Sequence, residues 1–287
     1  MEHRSGTFSS QVDGTQLATY TWDDGAAPRG VAQVAHGLAE HSARYGRLAK
    51  ALNDAGYVVY AADHRGHGKS ITEVSGDFGA PGFEGLIADV AAYGAAIRSE
   101  QPGLPLFLLA HSMGSFAAQS VLLEHSDQYA GVVLSGSTAL DVLAANLAQA
   151  EGPAGLEAFN AGFENRTGYE WLSRDEAEVD AYVADPLCGF DLPATAVPAL
   201  FGAASRLADP KELAQIRSDL PILIVSGSAD PLAGNGELLE LLAQRYRDAG
   251  VEDVTVTIYD GARHEIFNEV NRDQVTADVV GWLLKHT

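Results

Sequence analysis

Leu106-Phe107-Leu108-Leu109-Ala110-His111-Ser112-Met113-Gly114-Ser115 is the stretch on which the fold turns. An apolar run ends in a serine held between small residues, and positions 116–125 that follow have helical spacing. A short apolar run bounded by a turn reads as a buried strand. Ser112 therefore sits at a strand-to-helix corner, which lifts its hydroxyl to the top of a parallel sheet and sets a helix N-terminus beneath it, the geometry of a nucleophile elbow. Such a corner is sharp, and strand and helix pass close together, so small neighbours are required. The matching pattern is G-x-S-x-G, here with Ala110 in the first glycine position. A serine that served only as a helix N-cap would need no strand before it and no partners downstream.

Strand-like and helical segments alternate on both sides of this corner. Residues 30–36, 57–62, 105–109, 131–135, 222–225 and 254–259 read as strands, and 45–55, 85–100, 237–249 and 271–285 read as helices. That alternation predicts an α/β fold with a mainly parallel sheet covered on both faces. Residues 6–12 and 16–21 read as an antiparallel hairpin at its edge. One region breaks the pattern. Between positions 139 and 205 the chain is helix-rich, with Leu140, Leu143, Leu147, Leu156, Phe159 and Phe163 at roughly helical spacing. The expected organisation is a core of residues 1–138 and 206–287 carrying a helical cap or lid of residues 139–205. An apolar inner face on that cap supplies a wall for an apolar substrate, with Leu143, Phe159 and Phe163 as candidate substrate-binding residues.

A serine hydroxyl is a poor nucleophile until a base takes its proton and a third group holds that base. In a fold of this type the chain order is Ser, then Asp or Glu, then His. Asp230 follows the strand at 222–225 in a turn, and His264 follows the strand at 254–259. Ser112, Asp230 and His264 thus fall at the same edge of one sheet, where open α/β sheets bind their ligands. Asp141, Asp260 and Glu265 are competing acids, the last two too close to His264 in sequence to be obvious partners, and the turn context favours Asp230. An attacked carbonyl becomes an oxyanion that needs preorganised donors. The backbone N–H of Met113 is one. The loop His36-Gly37-Leu38-Ala39-Glu40-His41 offers the N–H of Leu38 as the second, with Gly37 allowing the tight turn.

The formal charge of −21 is spread along the chain, which repels nucleic acid, and no Lys/Arg cluster opposes it. A single cysteine, Cys188, forms no internal disulfide, residues 1–14 lack the apolar core of a signal peptide, and no apolar stretch is long enough to span a bilayer. These features lead to the expectation of a cytoplasmic protein without stable membrane insertion, its cap making at most transient contact with lipid. His36, His41, His64, His67 and His111 fall near the candidate site, but without HExxH or Cys/His metal spacing they read as loop histidines bonded to backbone.

Several segments together resemble the monoacylglycerol lipase and lysophospholipase-like branch of the α/β-hydrolases, of the serine aminopeptidase S33 type. They are His36-Gly37-Leu38-Ala39-Glu40-His41-Ser42 with Arg44-Tyr45, Asp63-His64-Arg65-Gly66-His67-Gly68-Lys69-Ser70, Pro102-Gly103-Leu104-Pro105, Ala110-His111-Ser112-Met113-Gly114, Leu172-Ser173-Arg174, Asp185-Pro186-Leu187, Gly227-Ser228-Ala229-Asp230 and Gly261-Ala262-Arg263-His264. The resemblance spans nearly the whole chain. It implies the triad Ser112, Asp230 and His264, oxyanion donors at Leu38 and Met113, no cofactor, and a small-molecule ester as substrate. Ala110 and Ser115 replace glycines of the usual pattern, and residues 141–168 are the least familiar part of the cap. The implied activity is therefore hydrolysis of carboxylic esters with an apolar acyl or alkyl part, monoacylglycerols foremost. Other bulky esters (hydroxyalkanoate oligomers or phthalate monoesters), peptidase activity, and lyase or perhydrolase chemistry on the same fold stand as alternatives.

Overall fold

The computed structural model describes residues 3–149 and 155–287. Eight strands form one sheet in the order β1-β2-β4-β3-β5-β6-β7-β8. They are β1 (Arg4–Ser9), β2 (Gln16–Trp22), β3 (Gly30–Ala35), β4 (Tyr57–Ala62), β5 (Leu106–His111), β6 (Gly131–Ser135), β7 (Ile222–Gly227) and β8 (Val254–Tyr259). β1 and β2 form the expected antiparallel hairpin, and β2 also runs antiparallel to β4. Every other pairing is parallel, from β4 through β3, β5, β6 and β7 to β8.

The central strands read as continuous apolar runs because both of their faces are covered. In β5, Leu106, Leu108 and Ala110 join one buried cluster, while Phe107 and Leu109 join another on the opposite face. In β7, Ile222 and Ile224 separate from Leu223 and Val225 in the same way. The first cluster is covered by α2 (Gly82–Glu100), α3 (Met113–His125) and α9 (Glu237–Asp248), through residues such as Leu86, Val121 and Leu242. α1 (Gly46–Asp54) and α10 (Arg272–Lys285) cover the other with Leu48, Leu52, Val275 and Val279. Each such aliphatic side chain contributes about 1.5–3 kcal/mol when fully buried.

Between β6 and β7 the chain makes α4 (Leu140–Gln149), a 3-10 turn at Gly155–Asn160, α5 (Glu176–Ala184), α6 (Ala196–Phe201), α7 (Ala204–Leu207) and α8 (Pro210–Leu213). Helix therefore runs on past position 205, to Leu213. Because β3 and β5 to β8 are parallel, the loops carrying Leu38, Ser112, Asp230 and His264 all leave from one edge of the sheet. No helix among the described residues is long and apolar enough to cross a membrane.

Candidate active site

β5 ends at His111 and α3 begins at Met113, so one residue makes the whole corner. That residue, Ser112, holds φ 52° and ψ −122°, a conformation that costs a non-glycine residue about 1–3 kcal/mol. Its N–H is tied to the Ser135 carbonyl of β6 at 2.9 Å, and its own carbonyl accepts from Ser115 N–H at 2.7 Å. Gly114 is required by contact: a Cβ there would lie 2.3 Å from the Ala35 carbonyl oxygen and 2.5 Å from that of His36. The two departures from the glycine pattern are accommodated away from the cavity. Ala110 is buried in β5. Ser115 turns its hydroxyl back to the Ser112 carbonyl (2.6 Å) and to Ser137 Oγ (2.9 Å).

β7 delivers Asp230 and β8 delivers His264. His264 Nδ1 lies 3.0 Å from Asp230 Oδ2, and both side chains are buried. An ionised carboxylate only accepts, so Nδ1 carries the proton and Nε2 is left with a free lone pair. Asp230 is itself held by Ser226 Oγ (2.6 Å) and Leu232 N–H (2.9 Å). Burial alone would raise the Asp230 pKa, but the charge and hydrogen bond of His264, then Ser226 and Leu232, hold it below its ordinary value. Burial would lower His264; Asp230 first, then Glu265 and Glu40, outweigh it and the net shift is upward. The close approach of β6 to this imidazole depends on Gly136, where a Cβ would meet His264 Cε1 at 2.9 Å.

The loop after β3 comes equally close to Ser112. A Cβ on Gly37 would lie 3.2 Å from Ser112 Cβ and 2.9 Å from Glu40 Oε1. Glu40 shapes the loop from within: Oε1 accepts from Gly37 N–H (2.6 Å) and Tyr45 hydroxyl (2.7 Å), and Oε2 accepts from Arg44 (2.7 Å). Arg44 then forks onto Glu265 at 2.6 and 2.7 Å. One guanidinium thus ties the loop bearing Leu38 to the residue next to His264. Burial works against both acids, but the positive charge of Arg44 keeps Glu40 and Glu265 below the usual carboxylate value. Glu265 is therefore engaged with Arg44, and Asp141 forks onto Arg245 at 2.7 and 2.9 Å, neither acid bonding to a histidine among the described residues. As the first residue of α3, Met113 has an N–H with no intrahelical acceptor.

Leu38, Ser112, Met113 and His264 line one cavity of about 570 Å³. Its other walls are mostly apolar and come largely from the segment between β6 and β7, including Leu143, Leu147, Leu156, Phe159, Leu200 and Phe201. Two of the three candidate substrate contacts, Leu143 and Phe159, belong to it. Phe163 does not; it lies under the Arg263 guanidinium, 4.7 Å from ring centroid to Cζ. The helical spacing that joined it to Phe159 stops because the 3-10 turn ends at Asn160. There the Asn160 side chain is drawn to Glu170 (3.0 Å) and to Trp171 N–H (3.0 Å). Trp171 is a cavity residue that sequence reading passes over, although it adjoins Leu172-Ser173-Arg174. The Glu40–Arg44 pair had a visible signal in its i, i+4 spacing.

Of the five histidines expected to bond to backbone, the rings of His36 and His67 do so, His41 and His111 turn to side chains instead, and His64 Nε2 has no partner among the described residues. His36 Nδ1 donates to Gly37 O (2.8 Å) while Nε2 accepts from His64 N–H (2.9 Å), and His67 Nδ1 donates to Arg65 O (3.0 Å). His111 contacts Ser135 Oγ at 3.1 Å. Among the described residues, His41, Asp185 and Cys188 could offer three ligand atoms to a metal, lying within 4.8 Å of one another. His41 Nε2 is already 2.9 Å from Asp185 Oδ2, and burial pushes the half-buried Cys188 thiol far above its ordinary pKa. That donor set suits a hydrogen-bonded pair beside a neutral thiol better than a thiolate metal site.

The family model described as serine aminopeptidase, S33, matches residues 26–271. The monoacylglycerol lipase of Mycolicibacterium smegmatis is 33% identical over 99% of this chain and 98% of its own length. Human monoglyceride lipase is 32% identical over 96% of this chain and 89% of its own. Among solved structures, a thermostable carboxyl esterase from Bacillus coagulans superposes with a TM-score of 0.87 at 26% identity, covering 99% of both chains.

Proposed function

The chain belongs to the serine aminopeptidase S33 family of α/β-hydrolases and is a serine ester hydrolase, and we propose that Ser112, His264 and Asp230 are its triad and monoacylglycerols its substrates. The observation that carries this reading is that Ser112 and His264, the latter bonded to Asp230, line one apolar cavity of about 570 Å³. His264 Nε2 takes the Ser112 proton as Oγ attacks the ester carbonyl. The oxyanion is received by the N–H groups of Leu38 and Met113. The intermediate collapses, the alcohol leaves with the proton from His264, and a water activated by the same imidazole cleaves acyl-Ser112. Residues 139–205 act in this reading as a cap whose leucines and phenylalanines hold the acyl chain. The names of the two lipases above support monoacylglycerol as substrate, and the mostly apolar lining supports an acyl chain over a peptide.

Initial rates on an acyl series, from acetyl to palmitoyl, of p-nitrophenyl esters and monoacylglycerols test the substrate class. Each buried methylene contributes about 0.8 kcal/mol, so kcat/KM should rise by about a hundredfold or more from acetyl to octanoyl. A flat profile, or faster cleavage of aminoacyl anilides than of any ester, contradicts the proposal.

A further inference from the structure

Trp171 stands against the imidazole that must protonate the leaving alcohol. Its ring lies 4.8 Å from the His264 ring at 38° and 5.1 Å from Phe159. The side chain is 4% exposed, and it lines the same cavity as Ser112. Its backbone is fixed from both sides, donating to Asn160 Oδ1 at 3.0 Å and accepting from His264 N–H at 3.2 Å.

The following residues bind this segment to the histidine loop. Glu265 N–H donates to Leu172 O (2.8 Å), and Ser173 Oγ donates to Asn268 O (2.9 Å). The buried Glu269 carboxylate accepts from Arg174 N–H (3.0 Å), Arg174 Nε (2.8 Å) and Arg263 N–H (2.9 Å). The indole is therefore a wall fixed relative to His264. Its Nε1 is buried without a partner among the described residues.

An ester poised for attack presents its alcohol oxygen to His264, because that imidazole delivers the proton on which the alcohol departs. The carbon bearing this oxygen then lies beside His264, and a branch on it meets the rings that flank that imidazole in the cavity, the apolar one being Trp171 (4.8 Å between centroids) and the other His111 (4.7 Å). We propose that Trp171 bounds the leaving-alcohol site and makes the enzyme selective for esters of unbranched primary alcohols over those of secondary alcohols. Among monoacylglycerols the 1-acyl isomer is then favoured over the 2-acyl isomer. This selectivity rests on the assignment of Ser112 and His264 above.

The test compares kcat/KM for n-butyl and sec-butyl esters of one medium-chain acid, which do not isomerise, in wild type, Trp171→Phe and Trp171→Ala. Active sites are counted by fluorophosphonate titration. One misplaced carbon in a tight pocket is worth roughly tenfold or more, so wild type should prefer the n-butyl ester by at least that factor. The ratio should fall to about threefold or less in Trp171→Ala, with Trp171→Phe between, and the two monooleoylglycerols should follow the same order. If Trp171→Ala does not fold, the shift in Trp171→Phe decides alone. A wild-type ratio near one, or a ratio unchanged while both rates fall together, overturns the proposal and leaves the triad standing. Failure of wild type to react with the fluorophosphonate overturns both.

Discussion

Ser112 keeps a positive φ because its neighbours over-determine it: the Ser135 carbonyl holds its N–H, and Gly114 lets α3 press against the end of β3. Strain of this kind persists where surrounding contacts enforce it, and at a corner it aims a side chain. Asp230 does the parallel work for the base. In the proposed triad it fixes His264 in the tautomer with Nδ1 protonated and favours the imidazolium that forms on attack. Asp230→Asn keeps nearly the same shape but supplies an amide that can donate, which favours the wrong tautomer. Its kcat should fall by about 10⁴-fold with the fold intact by circular dichroism. A loss under about tenfold would mean that another acid, Glu265 being the nearest in sequence, orients the histidine.

At the scale of elements, the core was legible because its strands are buried on both faces and its helices are amphipathic. β6 and β8 begin and end where the sequence places them, and α9 and α10 differ by a residue at one end. The hairpin strands were misplaced more: β1 spans Arg4–Ser9, since the chain turns back from Ser10, where Ser10 O accepts Gly14 N–H at 3.0 Å. α2 starts at Gly82, earlier than its apolar spacing suggests, because Pro81 can stand at a helix start without needing an N–H partner. The helical region between β6 and β7 was legible as helix but not in its phase. Position 163 left the expected face when Asn160 gave its side chain to Glu170 and Trp171. Hydrogen bonds of that kind join residues through space and carry no period. The same holds for the Arg44–Glu265 fork, whose ends are separated by |i−j| = 221. Chain order and turn context thus reveal which residues reach the sheet edge, while the contacts that lock them there come from elsewhere in the chain.

For the whole molecule, the buried histidines set the response to acid. Burial, with neighbouring histidines second for His36 and His64, holds those two well below the ordinary value, and His67 and His111 lie near 4. The unfolded chain protonates these groups near pH 6.5 and the folded chain does not, so the unfolded state binds more protons. Stability therefore falls as pH drops from about 6.5 toward 4, by about 1.4 kcal/mol per pH unit for each extra proton. Glu40, Glu265 and Asp230, held low in the fold, add their loss as pH passes down through the ordinary carboxylate range. His264 runs the other way, its contribution full below about 6.5 and lost as pH rises through its raised folded value. The charge of −21 favours the folded state as it is neutralised in acid, a term that salt screens over about 8 Å at 0.15 M. Thermal melts in that salt should show Tm declining already below about pH 6.5. A Tm that stays level down to about pH 4.5 would contradict neutral burial of these rings.

In the proposed mechanism one serine at one corner, Ser112, carries the acyl group. Intact mass and peptide mapping after reaction with a fluorophosphonate test it most directly. A single adduct per chain is expected, located on Ser112 and abolished in Ser112→Ala together with hydrolysis of the n-alkyl ester. An adduct on a different residue, or esterase activity undiminished in Ser112→Ala, would contradict it.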